Sequence, residues 1–389
     1  MDQPSPISDM PALARVPHDP ATRRRPQLAL VDARLKLVHP EEEIPEDWRS
    51  SLESLLGWLG ISAEIAPAAR AGRFTRLAGW PLPATGATPV FAPWLGWSAA
   101  AFQHGGSPRL PQAQFVASYL VDHPRSAAPG HSGADLVLMS PHPAQCLAEE
   151  AGGVPLVRAR TMTAMILTAR AQQRERLAII VTARQRNAVA TRLLAGGRGV
   201  SGDRMTIDIL TIEEALPLLM APRAPWDAII AMPELRSTVF TLLAHTCGVR
   251  GAWSMVWHGG EGARALRLIT SEAPGDGMSH LPLDAAALVH ALTLFLHSAG
   301  AAGQAARLNQ ASAMLRDSGV TTAARGAGDA PYGKEVTDRT FVEMICDGGM
   351  VSKRPQPDWK ALHHGKAAAA GSQKRFLRVI ASNHDPVSG

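Results

Sequence analysis

Aromatic residues make up only 5% of this 389-residue chain, and tyrosine occurs just twice, at Tyr119 and Tyr332. With Ala, Leu, Gly and Pro abundant instead, the composition favours helix-rich α/β packing over a β-sandwich. Cysteine is equally scarce. Cys146, Cys247 and Cys346 are odd in number, far apart and free of CxxC or Cys/His spacing. That excludes a disulfide framework and points to a reducing compartment. No apolar run reaches the ~18–20 residues of a membrane span. The opening Met1-Asp-Gln-Pro-Ser-Pro lacks the apolar core of a secretory signal. Neither sign of charge dominates: 39 basic against 34 acidic residues leave +5, with a sequence pI of about 9.4. So even a balance gives no argument for nucleic acid without a concentrated patch. The expectation is a cytoplasmic protein with neither a membrane nor a nucleic-acid partner.

Hydrophobic residues, by contrast, reach 46%, enough for a large core. Residues 1–26, rich in Pro, Asp, Ser and Arg, read as a flexible arm. Strands are expected at 27–31, 62–66, 134–139, 177–181, 205–210, 228–231 and 266–270. Helices are expected at 45–59, 160–172, 187–194, 212–220, 235–245, 285–298, 304–318 and 338–347, where apolar residues recur at three- and four-residue spacing. The order β-α-β-α-β-α over 177–245, joined by short turns, argues for an α/β fold. Residues 80–112, rich in Pro, Gly and Trp, read as loops, short strands and one short helix. Beyond Gly349, seven Lys and Arg face two Asp, and 350–389 reads as a basic, solvated tail.

One segment carries most of the functional information. Trp226-Asp227-Ala-Ile-Ile-Ala-Met-Pro233-Glu234-Leu235-Arg236-Ser237-Thr238-Val239-Phe240-Thr241-Leu242 sets a buried strand before a Pro-x-Leu turn and a helix. It resembles the metal-binding segment of the isocitrate/isopropylmalate dehydrogenase family, F-D-V-I-V-x-P-N-L-Y-G-D-I-L-S-D-L. There, two helix aspartates hold Mg²⁺ or Mn²⁺. Thr238 and Leu242 occupy their positions here.

Further matches follow in order along the chain. Asp122-His123-Pro124-Arg125-Ser126-Ala-Ala-Pro129-Gly130 is similar to the substrate stretch N-L-R-P-x-K-x-x-P-G, with His123 replacing the arginine. A guanidinium grips a carboxylate by two charge-assisted hydrogen bonds; a neutral imidazole does not, and Arg125 is the nearby substitute. Asp135-Leu-Val-Leu-Met139-Ser140-Pro141-His142 resembles D-L-V-x-V-R-E-N, with Ser140 at the second arginine. Arg184-Gln185-Arg186-Asn187 stands where V-H-K-A-N places a catalytic lysine, so Gln185 takes the lysine position. Neither tyrosine falls in the loop that bears the family's catalytic Tyr. Thr270-Ser-Glu-Ala273-Pro274 resembles the cofactor loop H-G-S-A-P, with Thr270 and Leu283 at its adenine-side His and Asn.

The resemblance implies an isocitrate/isopropylmalate dehydrogenase-like α/β fold, with two interleaved subdomains around a large mixed sheet. The expected divisions are 1–26, a domain over 27–349 (about 27–112 plus 250–349, and 113–249) and 350–389. It also implies NAD(P) and Mg²⁺ or Mn²⁺ as cofactors and a homodimer, or pairing with an active paralogue. Yet the lysine, tyrosine and metal-ligand positions are all substituted. The expectation is a pseudoenzyme with a binding or regulatory role and no metal. The alternative is an active NAD(P)-dependent oxidoreductase on a 2-hydroxy acid, its site rebuilt from His123, Arg125, His142 or Arg186. Simpler readings stand beside these: Asp227 as a strand-start residue, His142 as an exposed loop residue, Arg184 and Arg186 as a solvated turn, Trp253 and Trp257 as packing.

Overall fold

The computed structural model describes residues 35–37, 46–61, 65–67, 90–98, 113–122, 134–147, 154–195, 205–221, 224–260, 266–274, 283–323, 333–347 and 359–363. The expected arm at 1–26, the expected strand at 27–31, and both His123 and Arg125 lie outside them.

A single ten-stranded mixed sheet organises the chain. One half contains β1 (Leu35–Leu37), β2 (Ile65–Pro67) and β3 (Val90–Ser98). The other contains β4 (Phe115–Asp122), β5 (Ala134–Pro141), β8 (Arg176–Val181), β9 (Thr206–Thr211) and β10 (Ala228–Ala231). The chain then returns to the first half with β11 (Trp253–Gly259) and β12 (Leu266–Ala273). The order across the sheet is β2-β1-β3-β12-β11-β4-β5-β10-β8-β9. The outer strands on each side are parallel to their neighbours, while β12–β11, β11–β4 and β4–β5 are antiparallel. The two parallel blocks therefore run in opposite directions and meet at an antiparallel centre. Two small ladders complete the strands: β6 (Cys146–Leu147) with β7 (Leu156–Val157), and β13 (Val320–Thr321) with β14 (Lys334–Glu335).

The helices are α1 (Glu46–Trp58), α2 (Ala159–Ala171), α3 (Ala183–Ala195), α4 (Ile212–Leu219), α5 (Pro233–Thr246), α6 (Ala285–Ser298), α7 (Ala302–Asp317) and α8 (Asp338–Asp347). Local chemistry fixes several of their ends. Thr211 and Glu214 form a reciprocal capping box at the start of α4. Pro233 opens α5 at a position where its missing N–H costs nothing. Gly248 closes the same helix at φ +68°, a conformation that suits glycine. Asp284 caps α6 by accepting from the Ala287 N–H at 2.9 Å. That helix is apolar nearly all round and is buried from Ala285 to Leu296, with only His290 part-exposed, as the central support of the first half.

The expected helices and the strands at 134–139, 177–181, 205–210, 228–231 and 266–270 all form, with ends shifted by a few residues. Only 65–66 of the strand expected at 62–66 lies among the described residues, and β2 forms there. Residues 80–112 require correction: Val90–Ser98 is a nine-residue strand inside the sheet. Pro93 hid it. The β3–β12 register jumps between Phe91 and Gly96, where a residue without an N–H donor interrupts the ladder.

A second correction concerns the expected basic tail. Within it, Trp359–His363 is packed against the body, with Trp359 only 2% exposed. The rest of 350–389 lies outside the described residues. The Trp359 ring packs edge-on to Tyr119 and tilted against His290, at centroid distances of 6.0 and 4.8 Å. The Lys360 backbone N–H donates to Asp135 Oδ2 at 2.8 Å, and its ammonium to Asp227 Oδ2 at 2.7 Å. Burying an indole contributes about 4–6 kcal/mol. A half-exposed ion pair adds ~0–1 kcal/mol. Ordering five residues costs about 5–10 kcal/mol. The segment is thus held by a narrow margin.

All three cysteines are free thiols. Among the described residues, no helix is long and apolar enough to cross a membrane.

Candidate functional site

Strands β5, β10, β8 and β9 are mutually parallel, so their carboxyl ends open on one edge of the sheet. Crevices beyond such ends are where open α/β sheets hold ligands. The turns leaving these strands carry Ser140 and His142, Gln185 and Arg186, Thr211 and Glu214, and Glu234. Of the residues singled out in the sequence, Ser140, Gln185, Arg186, Thr238 and Leu242 are thereby brought to this edge or to the helices that leave it.

Gln185, matched to the lysine position by the motif resemblance, is 1% exposed. Its carbonyl oxygen accepts from the Thr182 N–H at 3.0 Å and the Thr182 hydroxyl at 3.1 Å. Its amide nitrogen donates to Pro155 O at 3.1 Å and to Glu234 Oε1 at 2.7 Å. A neutral amide has two donor and two acceptor positions of this kind. All four are committed to partners fixed in the fold. Gln185 ties the turn after β8 to β7 and to the first turn of α5, and it has no proton to trade.

On α5, Thr238 is exposed and Leu242 half-buried, four residues apart on one face. Glu234, four residues before Thr238, is the single carboxylate of that face. Asp227, the other carboxylate of the motif, lies at the opposite end of β10, where it accepts from the Glu175 and Arg176 N–H groups and from Lys360. It is a strand-start residue. Burial pushes its carboxyl up, but Lys360 and the two N–H groups outweigh that and hold it below its ordinary value. A magnesium ion needs several convergent oxygens in near-octahedral array. One glutamate beside a threonine and a leucine does not fit that demand. Among the described residues, no three His, Cys, Asp or Glu side chains converge on a metal position.

Cys146 stands near Glu234. Burial, and then the Glu234 carboxylate, push its thiol up to about 12, which removes it as a nucleophile at neutral pH. Ser140 is fully buried and donates to Ala231 O at 2.8 Å, joining the ends of β5 and β10. His142 is 5% exposed rather than an open loop residue. Its Nδ1 accepts from the Ala144 N–H at 3.1 Å, and its ring meets Trp257 edge-on. Arg186 pairs with Glu214 at 3.0 Å, while that carboxylate also accepts from the Thr211 N–H. These candidates for substrate contact are occupied with holding the turns in place.

The positions matched to the cofactor loop lie in the other half of the sheet. Thr270 is completely buried and accepts from Trp257 Nε1 at 3.0 Å. Ala273 and Leu283 are buried and Pro274 is half-buried. A hydroxyl enclosed beneath an indole does not face a bound adenine.

Sequence reading missed a cluster at the junction of the two halves. Arg236 of α5 and Glu272 of β12 are both 0% exposed. Arg236 donates from Nε to Glu272 Oε2 at 3.2 Å and from Nη2 to Glu272 Oε1 at 2.6 Å. Nη2 also donates to Ser118 Oγ of β4 at 2.7 Å, and the Ser118 hydroxyl donates to Glu272. Each residue looks ordinary in its own segment. Only the pairing of β4, β11 and β12 brings them together.

No protein-family model matches the chain, and no curated protein matches it in sequence. Solved structures do match in fold. The isocitrate dehydrogenase of Methylococcus capsulatus superposes with a TM-score of 0.53 at 13% identity, covering 81% of this chain and 98% of that enzyme. The TT0538 protein of Thermus thermophilus superposes with a TM-score of 0.56 at 13% identity, covering 87% of this chain and 73% of that one. The chain has the isocitrate dehydrogenase-like α/β fold that its motifs implied.

Proposed function

We propose that this protein keeps the isocitrate/isopropylmalate dehydrogenase-like scaffold without its chemistry and serves as a binding or regulatory protein in the cytoplasm. The observation that carries this reading is Gln185. The resemblance places a proton-handling lysine there, and the chain has an amide with all four hydrogen-bonding positions bound to the fold. Metal-assisted decarboxylation further requires a Lewis acid at the forming carbonyl. Thr238 and Leu242 offer no carboxylate for one, and Glu234 is drawn into the Gln185 network. Partnering with a second copy, or with an active paralogue, is assigned to the outer faces of α3 and α5. Leu194 is 57% exposed on α3, and Leu242 interrupts the polar face of α5.

The test is a turnover assay. Full-length protein is supplied with NAD⁺ or NADP⁺, Mn²⁺ and a panel of 2-hydroxy mono- and diacids, and reduced nicotinamide is followed by absorbance. No production above a protein-free blank is expected. Steady metal-dependent production with any member would replace this reading with that of an oxidoreductase with a rebuilt site.

A further inference from the structure

The contact made by Trp359 and Lys360 has the anatomy of a ligand in a receptor site. We propose that the nest between β4, β5, β10 and α6 is a recognition pocket for a peptide bearing tryptophan followed by lysine. The chain's own Trp359–Lys360 fills it in cis and docks reversibly. This inference does not depend on whether the crevice at the other strand ends is catalytic.

The pocket is built without its occupant. The Tyr119 hydroxyl is held by Gln172 Nε2 at 2.8 Å, and the Tyr119 carbonyl by Trp253 Nε1 at 2.8 Å. His290 is bonded to Ser254 and leans on Trp253 at a centroid distance of 4.4 Å. These contacts set the aromatic walls whether or not Trp359 lies between them. The acidic positions are likewise pre-set. Arg174, whose side chain is 0% exposed, holds Asp135 Oδ1 at 2.7 Å, and the backbone of Glu175 and Arg176 holds Asp227. A site fixed by its own bonds persists when emptied, and such preorganisation is what lets a short peptide bind.

Trp359–His363 pairs with no strand of the sheet. Two of its backbone bonds are local, Leu362 N–H to Trp359 O and His363 N–H to Lys360 O, and one reaches the body, Lys360 N–H to Asp135 Oδ2. Trp359 Nε1 is buried with no acceptor among the described residues. A buried donor without an acceptor opposes burial. The ring and the lysine, with Ala361 and Leu362 packed beside them, carry the contact, and release of the segment uncovers a preformed aromatic and acidic site.

The test uses the full-length chain carrying Trp359→Ala and a dye-labelled peptide of residues 355–365. Fluorescence anisotropy should show the peptide binding the variant at least tenfold more tightly than the native chain, whose own segment competes. Replacing either Trp359 or Lys360 by Ala within the peptide should weaken binding at least tenfold. Equal binding to both chains, or none to a folded variant, would overturn the proposal. Hydrogen exchange on the native chain decides independently, should the variant fail to fold. The amides of Lys360, Leu362 and His363 should exchange at least a hundredfold faster than those of β4 and β5. Exchange at the same rate as β4 would show that the segment leaves only on global unfolding, and would also overturn it.

Discussion

Replacing Glu272 with Gln should be among the most damaging conservative changes in this protein. The substitution keeps the side chain's shape and removes its charge. Arg236 then remains as a guanidinium at 0% exposure, facing an amide and Ser118. Breaking a buried ion pair from one side costs about 3–5 kcal/mol, because the surviving charge is left uncompensated. The geometry places this case within that range: three donor contacts of 2.6–3.2 Å link Arg236 to Glu272 and Ser118, and all three residues are buried. Urea unfolding followed by circular dichroism is the assay. With a slope on the order of 3 kcal/mol per molar urea, the midpoint should fall by about 1–2 M. Arg236→Met should behave alike. The double variant Arg236→Met with Glu272→Leu should recover most of the loss, since apolar residues of similar volume replace a buried pair at little net cost. If each single variant lies within about 1 kcal/mol of the parent, the cluster is not the desolvated pair that its geometry describes, and the reasoning fails.

Three further outcomes are expected. Gln185→Ala should lower stability by about 2–4 kcal/mol, because it strands the groups that the amide now satisfies; thermal melting at neutral pH measures it, and a change under 0.5 kcal/mol would remove the network's structural role. Asp227, with its folded pKa below the ordinary value, stabilises the protein fully above about pH 5, and that contribution is lost as pH falls through the folded pKa. Asp227→Asn should therefore flatten the acid limb of stability below about pH 5, and an unchanged slope would contradict the assignment. The Cys146 thiol, pushed up to about 12, should react with iodoacetamide at pH 8 at least a hundredfold more slowly in the native than in the denatured chain.

Elements with a clean period were legible in the sequence. Leu177–Val181 and Ala228–Ala231 are continuous apolar runs because parallel strands are covered on both faces. Among the long strands, β3, β4 and β11 near the centre of the sheet were not legible as such. Each carries a local contradiction: Pro93 in β3, Ser118 in β4, Ser254 and His258 in β11. Those polar groups are tolerated because partners reach them from distant segments, Arg236 and Glu272 for Ser118 and His290 for Ser254. Propensity cannot anticipate such rescue. The site was legible in a particular sense. Spacing brought Ser140, Gln185, Arg186 and Thr238 to one edge, whereas their engagement with the scaffold depends on Pro155, Glu214, Ala231 and Glu234. In sequence Trp359 belongs to a tail with a solvated composition, because its neighbours are charged and small. Its partners, Tyr119 and His290, lie 240 and 69 residues earlier in the chain, beyond any local pattern.

The measurement that bears most directly on the central claim is the melting temperature with NAD⁺, NADP⁺, Mg²⁺ and Mn²⁺, each alone and combined with 2-hydroxy diacids. A ligand at a hundred times its dissociation constant stabilises the native state by about 2.7 kcal/mol, which a melting curve resolves readily. With Thr238 and Leu242 where the resemblance places metal ligands and Gln185 bound into the fold, no shift is expected from any metal or any metal–acid combination. A metal-dependent rise that grows when a 2-hydroxy diacid is added would show a working cleft and contradict the account.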